Sequence, residues 1–427
     1  MSTDPMKRFL EAINNDVGLR DEVVYHIEFE DYRCFPDPFP RTTFSVKEVQ
    51  ASIRRYPNPE KPGERFRWDI HGTLLTPDKA SLPDVAVAII HGGAANEYEF
   101  LFTPDGPETY LDLTKVPPGE SRAGIAQHIA SLGVKVLAIS LPGHYSSKPW
   151  PPIAVRKPEF VIGETPDDVE MRNRLGVYTF RMCLEAVKVL IEQNLARDKL
   201  YVWGHSTGGE FFFLLEQYGA KNTLLGGLGF GSGMPGSMMK EFDHAVGDKT
   251  PEERANQFRP VNNVTRRSPE AYRKAGYVGP NQPWASPEKW FELVSHRRVQ
   301  LKPNFQDIEH HGQDMFLDEF RRATGLPDEE LFICNKADLT RLRGKKILYF
   351  VGKLDKEHWN DHRPEFGREL YAIKRLVKYA DKARLVVIPQ LTHYGHIESH
   401  NERLANMMVT ALRDYFPHQD LERRTER

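Results

Sequence analysis

The segment from Lys199 to Gln217, KLYVWGHSTGGEFFFLLEQ, joins an apolar run that predicts a buried strand to a second apolar run that predicts a helix. Between the two runs, Ser206 lies in a Gly-x-Ser-x-Gly pattern with glycines at 204 and 208. In this context the pattern is typical of a nucleophile elbow, where the glycines permit a tight turn that exposes the serine hydroxyl. The pattern also arises by chance, and a glycine-rich turn with Ser206 as a helix cap is the alternative. The strand–turn–helix context favours a nucleophile.

Composition excludes several classes of protein. The 427 residues are 40% hydrophobic and 28% charged, and 58 basic against 60 acidic side chains give a formal charge of −2. This balance indicates a globular protein, and it gives no electrostatic basis for binding nucleic acid or an anionic membrane. No apolar run resembles a signal peptide or a membrane span. Three scattered cysteines, Cys34, Cys183 and Cys334, form no metal-binding or disulfide pattern. We expect a cytoplasmic protein, although a mature form whose signal has been removed stays open.

Short apolar segments alternate with amphipathic ones from about residue 85 onward. This alternation predicts an α/β fold with a mostly parallel sheet and helices on both of its faces. The predicted core strands are Val85–Ile90, Val134–Ser140, Leu200–Trp203, Leu224–Phe230, Lys346–Val351 and Arg384–Ile388. The predicted helices are Asp167–Asn194, Phe211–Gln217, Arg363–Ala380 and Glu402–Phe416.

The remaining segments divide the chain into parts. The sequences FSVKEVQASIRRY and FRWDIHGTLLT predict antiparallel strands ahead of the core, and residues 234–343 show no clear strand. A structureless loop of that length is unusual in a compact domain, so we predict a mainly helical inserted lid, with an independent domain as the alternative. The predicted parts are an N-terminal extension (1–80), a first core segment (81–233), the lid (234–343) and a second core segment (344–427).

A serine hydroxyl needs a base and an orienting acid, which in an elbow protein follow the serine in the order acid, then histidine. Asp355 follows the predicted strand Lys346–Val351, with Glu357 and Asp361 as nearby alternatives. His393 follows the predicted strand Arg384–Ile388, where a side chain can extend back over the sheet, and His396 and His400 compete for the role of base.

The sequence His91-Gly92-Gly93 follows the first core strand and predicts an oxyanion loop. Its small residues leave backbone N–H groups unobstructed. The N–H of Gly93 or Ala94, together with that of Thr207, would then stabilise a tetrahedral oxyanion.

Together these segments resemble the α/β-hydrolase superfamily over about residues 66–416. The matching motifs are HGG, SLPGH (Ser140–His144), GHSTGG, GKLD and IPQLTHYGHIE, in the order of the family. In SLPGH, Ser140 replaces the usual aspartate of the family. The resemblance selects His393, four residues after the proline, as the catalytic histidine. It implies a twisted, mostly parallel sheet and hydrolysis of an ester or related acyl bond without a cofactor.

The predicted function is hydrolysis of a carboxylic ester of a small organic substrate through an acyl-enzyme on Ser206. The same triad could act on an amide, lactone, thioester or carbon–carbon bond, and a non-catalytic small-molecule-binding protein is a further alternative. The histidines of HYGHIESH and HWNDH lack the spacing of a metal site, so we predict no metal and interpret them as solvent-facing. Whether the aromatic-rich insertion supports a homo-oligomer stays open.

Overall fold

The computed structural model describes residues 34–57, 63–92, 97–104, 121–142, 180–235, 338–355, 368–389, 391–397 and 401–415. It also describes short pieces at 6–9, 24–26, 31–32 and 241–242, and the single positions 4, 238, 327, 333 and 358.

Within this described part of the chain, nine strands form one mixed sheet, in the order β1-β11-β10-β9-β8-β4-β7-β3-β2. Its strands are β1 (Val24–His26), β2 (Phe44–Pro57), β3 (Arg65–Pro77), β4 (Val85–Ile90), β7 (Lys135–Ser140), β8 (Lys199–His205), β9 (Leu224–Phe230), β10 (Lys346–Gly352) and β11 (Lys382–Ile388). All neighbours from β7 to β1 pair in parallel, whereas β2 with β3 and β3 with β7 pair antiparallel. A separate antiparallel pair joins β5 (Phe102–Pro104) to β6 (Ser121–Ala123).

The predicted core strands are confirmed. The bounds of β4 and β9 agree with the sequence to the residue, and β8, β10 and β11 are longer than predicted by one to three residues. These strands are easy to recognise in the sequence because they are buried on both faces. In β4, for example, all six side chains are buried. A parallel strand covered on both faces is a continuous apolar run.

The two predicted antiparallel strands are β2 and β3, which form a long hairpin. Val49 lies opposite Gly72, and the register shifts between Arg54 and Pro57. The hairpin is continuous with the core sheet, since Gly72 of β3 also lies opposite Ile139 of β7. The hairpin and the core strands thus belong to one sheet, although a domain boundary is predicted between them near residue 80. That boundary stays a prediction.

Helices cover both faces of the sheet. They are α1 (Tyr98–Leu101), α2 (Ile125–Ser131), α3 (Phe180–Leu195), α4 (Glu210–Tyr218), α5 (Arg368–Leu376) and α6 (Asn401–Tyr415). Side chains of α3, α4 and α5 belong to one hydrophobic cluster, and those of α2 and α6 belong to the other. Strand β4 divides between the two, because Ala88 joins the first cluster and Ile89 joins the second. The predicted α/β architecture is thus confirmed for the described residues.

Most of the predicted lid lies outside the described residues. Within 234–343 the described apolar side chains include Met234, Met238, Phe242 and Ile333, which are buried in the cluster that contains α4 and α5. In the described part of the chain, no helix has the length and apolarity needed to cross a membrane. Cys34 and Cys183 are thiols there rather than disulfide partners, and Cys334 lies outside it.

Candidate active site

Ser206 stands at a strained corner between β8 and α4. Its φ is +51°, and Asp84 is the other described non-glycine residue with a positive φ. A 3-10 helix from Ser206 to Gly209 follows directly and leads into α4. A left-handed conformation costs an L-residue about 1–2 kcal/mol, so the fold holds Ser206 in this position at the expense of stability.

The glycines of the elbow are required by close packing. A Cβ on Gly204 would lie 2.1 Å from the backbone nitrogen of Gly209, and one on Gly208 would lie 2.0 Å from the carbonyl oxygen of Ile90. The alternative in which Ser206 caps the helix is wrong, because Gly209 is the N-cap of α4 and no side chain caps it by a hydrogen bond. The prediction of a strand–elbow–helix turn is confirmed.

Asp355 and His393 meet as the sequence order predicted. Asp355 lies in the turn after β10 and His393 in the turn after β11, and the Nδ1–H of His393 donates to Oδ2 of Asp355 at 2.7 Å. Both are buried, at 0% and 4% exposure. Because the carboxylate accepts from Nδ1, the lone pair of the imidazole is on Nε2, as a general base requires. Glu357, Asp361 and His400 lie outside the described residues.

Three glycines contact the elbow or the Asp355–His393 pair. The N–H of Gly233 donates to the carbonyl oxygen of Ser206 at 2.6 Å. Gly231 has φ +52°, and a Cβ there would lie 3.0 Å from Nδ1 of His393 and 3.2 Å from Oδ2 of Asp355. On the other side, a Cβ on Gly92 would lie 2.8 Å from the Cβ of Ser206. The segment after β9 therefore packs closely on Asp355 and His393, and Gly92 packs closely on Ser206.

The described part of the predicted oxyanion loop is held by its histidine. The backbone N–H of Leu141 donates to Nε2 of His91 at 2.9 Å, so the ring proton is on Nδ1, which donates to the carbonyl of Gly92 at 2.6 Å. Thr207 is buried beside Ser206. Gly93 and Ala94 lie outside the described residues, so their role stays a prediction.

His396, the competing base, is bound elsewhere. It is fully buried, and its Nε2 lies 3.6 Å from Oε1 of Glu99 rather than beside Asp355. Burial, together with the neighbouring His205 imidazole, lowers the pKa of His396 to about 4. Burial alone would raise the pKa of Glu99, but the imidazoles of His205 and His396 outweigh this effect and hold it well below its usual range.

The interpretation of the remaining loop histidines as solvent-facing is wrong for His358 and His396. Both are at most 2% exposed, and each lies beside a buried carboxylate, Glu369 for His358 and Glu99 for His396. The His358 ring also lies 4.9 Å from that of His393 between centroids. The HWNDH motif gives no sign that His358 is buried, because its carboxylate partner, Glu369, lies beyond the end of the motif.

Two groups of described residues could hold a metal ion. One comprises Glu99, His205 and His396, and the other comprises Asp355, His358 and His393. All six side chains are buried. In the second group the direct 2.7 Å hydrogen bond between Asp355 and His393 occupies the space between two of the three ligand atoms.

The three-dimensional arrangement agrees with the resemblance found in the sequence. It shares the order of the sheet, the strained serine after β8, and the acid and histidine after β10 and β11. The chain has an α/β-hydrolase fold. No protein-family model matches it, and no curated protein matches its sequence.

Solved structures of several hydrolases are similar to the chain. A peroxisomal α/β-hydrolase from Saccharomyces cerevisiae is 14% identical with a TM-score of 0.40, covering 90% of this chain and 95% of that one. A thermophilic esterase from Thermogutta terrifontis is 14% identical with a TM-score of 0.42, covering 86% and 99%. A proline iminopeptidase from Mycobacterium smegmatis is 15% identical with a TM-score of 0.42, covering 85% and 99%. Similarities this weak assign no activity to the chain.

Sequence reasoning missed the residues that surround the candidate triad. Glu99 and Glu369 were not predicted at all, and His205 was seen only as part of the elbow motif. Gly231, directly after β9, marks only the close approach of the backbone to Asp355 and His393, and no local pattern in the sequence indicates the surrounding residues.

Proposed function

We propose that the protein is a serine hydrolase that cleaves a carboxylic ester of a small organic substrate. The observation that supports this most directly is Ser206 at φ +51° between β8 and α4, with the bonded pair Asp355–His393 against Gly231, two residues before the glycine whose N–H donates to the Ser206 carbonyl. A non-glycine residue is held in a strained conformation at the start of an apolar helix when its side chain must project from the turn.

In the proposed reaction, Ser206 Oγ attacks the ester carbonyl while Nε2 of His393 takes the hydroxyl proton. Asp355 holds the His393 tautomer and stabilises the imidazolium, and the N–H of Thr207 with that of Gly93 or Ala94 receives the oxyanion. The imidazolium then protonates the departing alkoxide, which leaves an acyl group on Ser206. Water, deprotonated by His393, attacks this acyl-enzyme and releases the acid, and the proton returns to Ser206.

The chemistry requires no cofactor at the serine, and the partner of the proposed site is a small-molecule substrate. The same steps would open a lactone or cleave an amide or thioester, because the triad acts on the carbonyl and the leaving group is set by the pocket. The ester is the first choice because its leaving group departs more readily than an amine.

The test is the intact mass of the protein after incubation with a broad fluorophosphonate, which reacts with activated serines. We expect one adduct on the wild type, none on Ser206→Ala, and one on the control Ser45→Ala, whose serine lies on the exposed edge hairpin. An adduct that persists on Ser206→Ala would remove that residue from its role. An unlabelled wild type would favour the non-catalytic binding protein. Labelled protein would next be assayed on matched ester and amide libraries.

A further inference from the structure

The cluster of Glu99, His205 and His396 lies behind the elbow and takes no part in the proposed reaction. Glu99 belongs to α1, His205 ends β8 directly before Ser206, and His396 lies in the short 3-10 helix Gly395–Ile397 after the catalytic histidine turn. The three side chains are 0–2% exposed, and one ligand atom from each lies within 4.8 Å of the others. The cluster therefore joins three segments that are distant in sequence.

The hydrogen bonds of His205 define its tautomer. Its Nε2 lies 2.9 Å from the backbone carbonyl oxygen of His393, and since a carbonyl only accepts, Nε2 carries the proton. A neutral His205 then presents the lone pair of Nδ1 to Oε1 of Glu99, 3.3 Å away. Two lone pairs facing each other in a buried space need a cation between them, which is either a proton or a metal ion.

The distances favour a metal ion over a proton. A charge-assisted N–H···O bond is about 2.7–2.9 Å long, whereas the Nδ1–Oε1 distance is 3.3 Å and the Nε2–Oε1 distance to His396 is 3.6 Å. Two ligands bound tetrahedrally to zinc at about 2.0–2.1 Å lie roughly 3.4 Å apart. Both observed separations are close to that value.

His396 supplies an independent observation. Both of its ring nitrogens are buried without a hydrogen-bond partner, and Nε2 faces Glu99. The ring is surrounded by aromatic side chains, with centroids 5.3 Å from Phe100 and 5.8 Å from Trp203. Among the described residues, the ion-pair partners of Glu99 are the two imidazoles. A buried imidazole whose ring nitrogens make no hydrogen bond is costly, and a metal–nitrogen bond would compensate for that cost.

We propose that Glu99, His205 and His396 bind a structural Zn²⁺ ion through Oε1, Nδ1 and Nε2. Two imidazoles and a carboxylate are ligands that zinc accepts, and the bond from His205 Nε2–H to the His393 carbonyl is the outer-shell contact that usually orients a metal-bound histidine. Since the three side chains supply three ligands, a water molecule would take the fourth position of the tetrahedron. Because the ligands are shielded from solvent, the ion is structural: it clamps the segment before Ser206 to the segment after His393.

The experiment measures zinc in the full-length protein by elemental mass spectrometry after dialysis against equimolar zinc chloride and then metal-free buffer. We expect about one zinc ion per wild-type chain and a large loss in Glu99→Gln and in His396→Gln. The matched control is His358→Gln, which alters the other carboxylate–imidazole group and should retain zinc. Added zinc should raise the Tm of apo wild type and of His358→Gln but not that of the two ligand variants.

Because a ligand variant could fail to fold, X-ray absorption at the zinc edge of wild type provides a second measurement. We expect nitrogen and oxygen scatterers at about 2.0–2.1 Å, two imidazoles and no sulfur. A wild type that binds no zinc and shows no change in Tm would overturn the proposal, as would sulfur ligation or folded ligand variants that keep the full zinc content. Fluorophosphonate labelling reports on Ser206 separately, so either proposal can fail alone.

Discussion

Two buried groups beside the elbow contain the same kinds of side chain, one carboxylate and two imidazoles, but the distances between carboxylate and imidazole differ. In the group of Asp355, His358 and His393, the carboxylate and an imidazole are joined at 2.7 Å. In the group of Glu99, His205 and His396, the corresponding distances are 3.3 and 3.6 Å. The shorter separation fits a shared proton and the longer ones fit a metal ion, so the spacing, rather than the residue types, distinguishes an acid–base site from a candidate structural site.

The largest predicted effect separates His393 from His396. We expect His393→Ala to lower kcat by about 10⁴-fold or more, because a triad acts as a unit. The matched variant His396→Ala removes a proposed zinc ligand that touches no reacting atom and acts only through the position of the catalytic segments, so a smaller loss of about 10–100-fold is expected. The measurement is kcat on the best ester from the library, with circular dichroism to show that both variants fold. A folded His396→Ala that is the more damaged would make His396 the base.

A smaller effect tests whether the space around His393 matters. A methyl group added at Gly231 meets both a positive φ and His393 Nδ1 at 3.0 Å, whereas Gly344 has φ +79° and nothing within 4 Å of where its Cβ would lie. Both Gly231→Ala and Gly344→Ala should destabilise the fold by about 1–2 kcal/mol in urea unfolding.

The two alanine variants should differ in activity. We expect kcat to fall roughly 10-fold or more in Gly231→Ala, because the imidazole must shift, and to stay close to wild type in Gly344→Ala. Equal kcat values in the two variants would show that the close approach of Gly231 does not position His393.

The last prediction concerns stability alone and uses a histidine distant from both groups. Burial lowers the pKa of His128, on α2, to about 4, with Arg41 contributing in the same direction. An unfolded histidine has a pKa of about 6.5, so between the two values the unfolded chain binds a proton that the folded chain does not. This contribution to stability is complete above about pH 6.5 and is lost as the pH falls towards 4.

The corresponding experiment compares wild type with His128→Gln in urea unfolding at about pH 7.5 and about pH 5. The wild type should lose about 2 kcal/mol more than the variant on acidification, from the 1.36 kcal/mol that each pKa unit represents. Identical losses in the two proteins would indicate that His128 titrates normally in the fold.

Regular structure was predictable where burial is two-sided or strongly periodic. The bounds of β9 agree with the sequence, and α6 differs from the predicted Glu402–Phe416 by one residue at each end. β1 was missed, because its three residues form an edge strand whose partner, β11, lies more than 350 positions along the chain. Local pattern carries no information about such pairing.

The candidate triad was predictable because each member follows a recognisable strand. Ser206 follows β8, Asp355 follows β10 and His393 follows β11, so the strands that the sequence revealed also located the residues. The surrounding shell was not predictable. Glu99 and His205 are 106 positions apart, and His205 and His393 are 188 apart, so no spacing rule connects them.

The sequence by itself determined the core strands, the elbow turn and the order of the candidate nucleophile, acid and base, since burial periodicity and turn chemistry act over a few residues. The tertiary structure agrees with the family resemblance in bringing His393 rather than His396 to Asp355, and it alone decided that two further carboxylates lie beside His358 and His396. The parallel sheet brings the carboxyl ends of distant strands to one edge. Which side chains then meet there, and at what distance, depends on packing across the whole sheet.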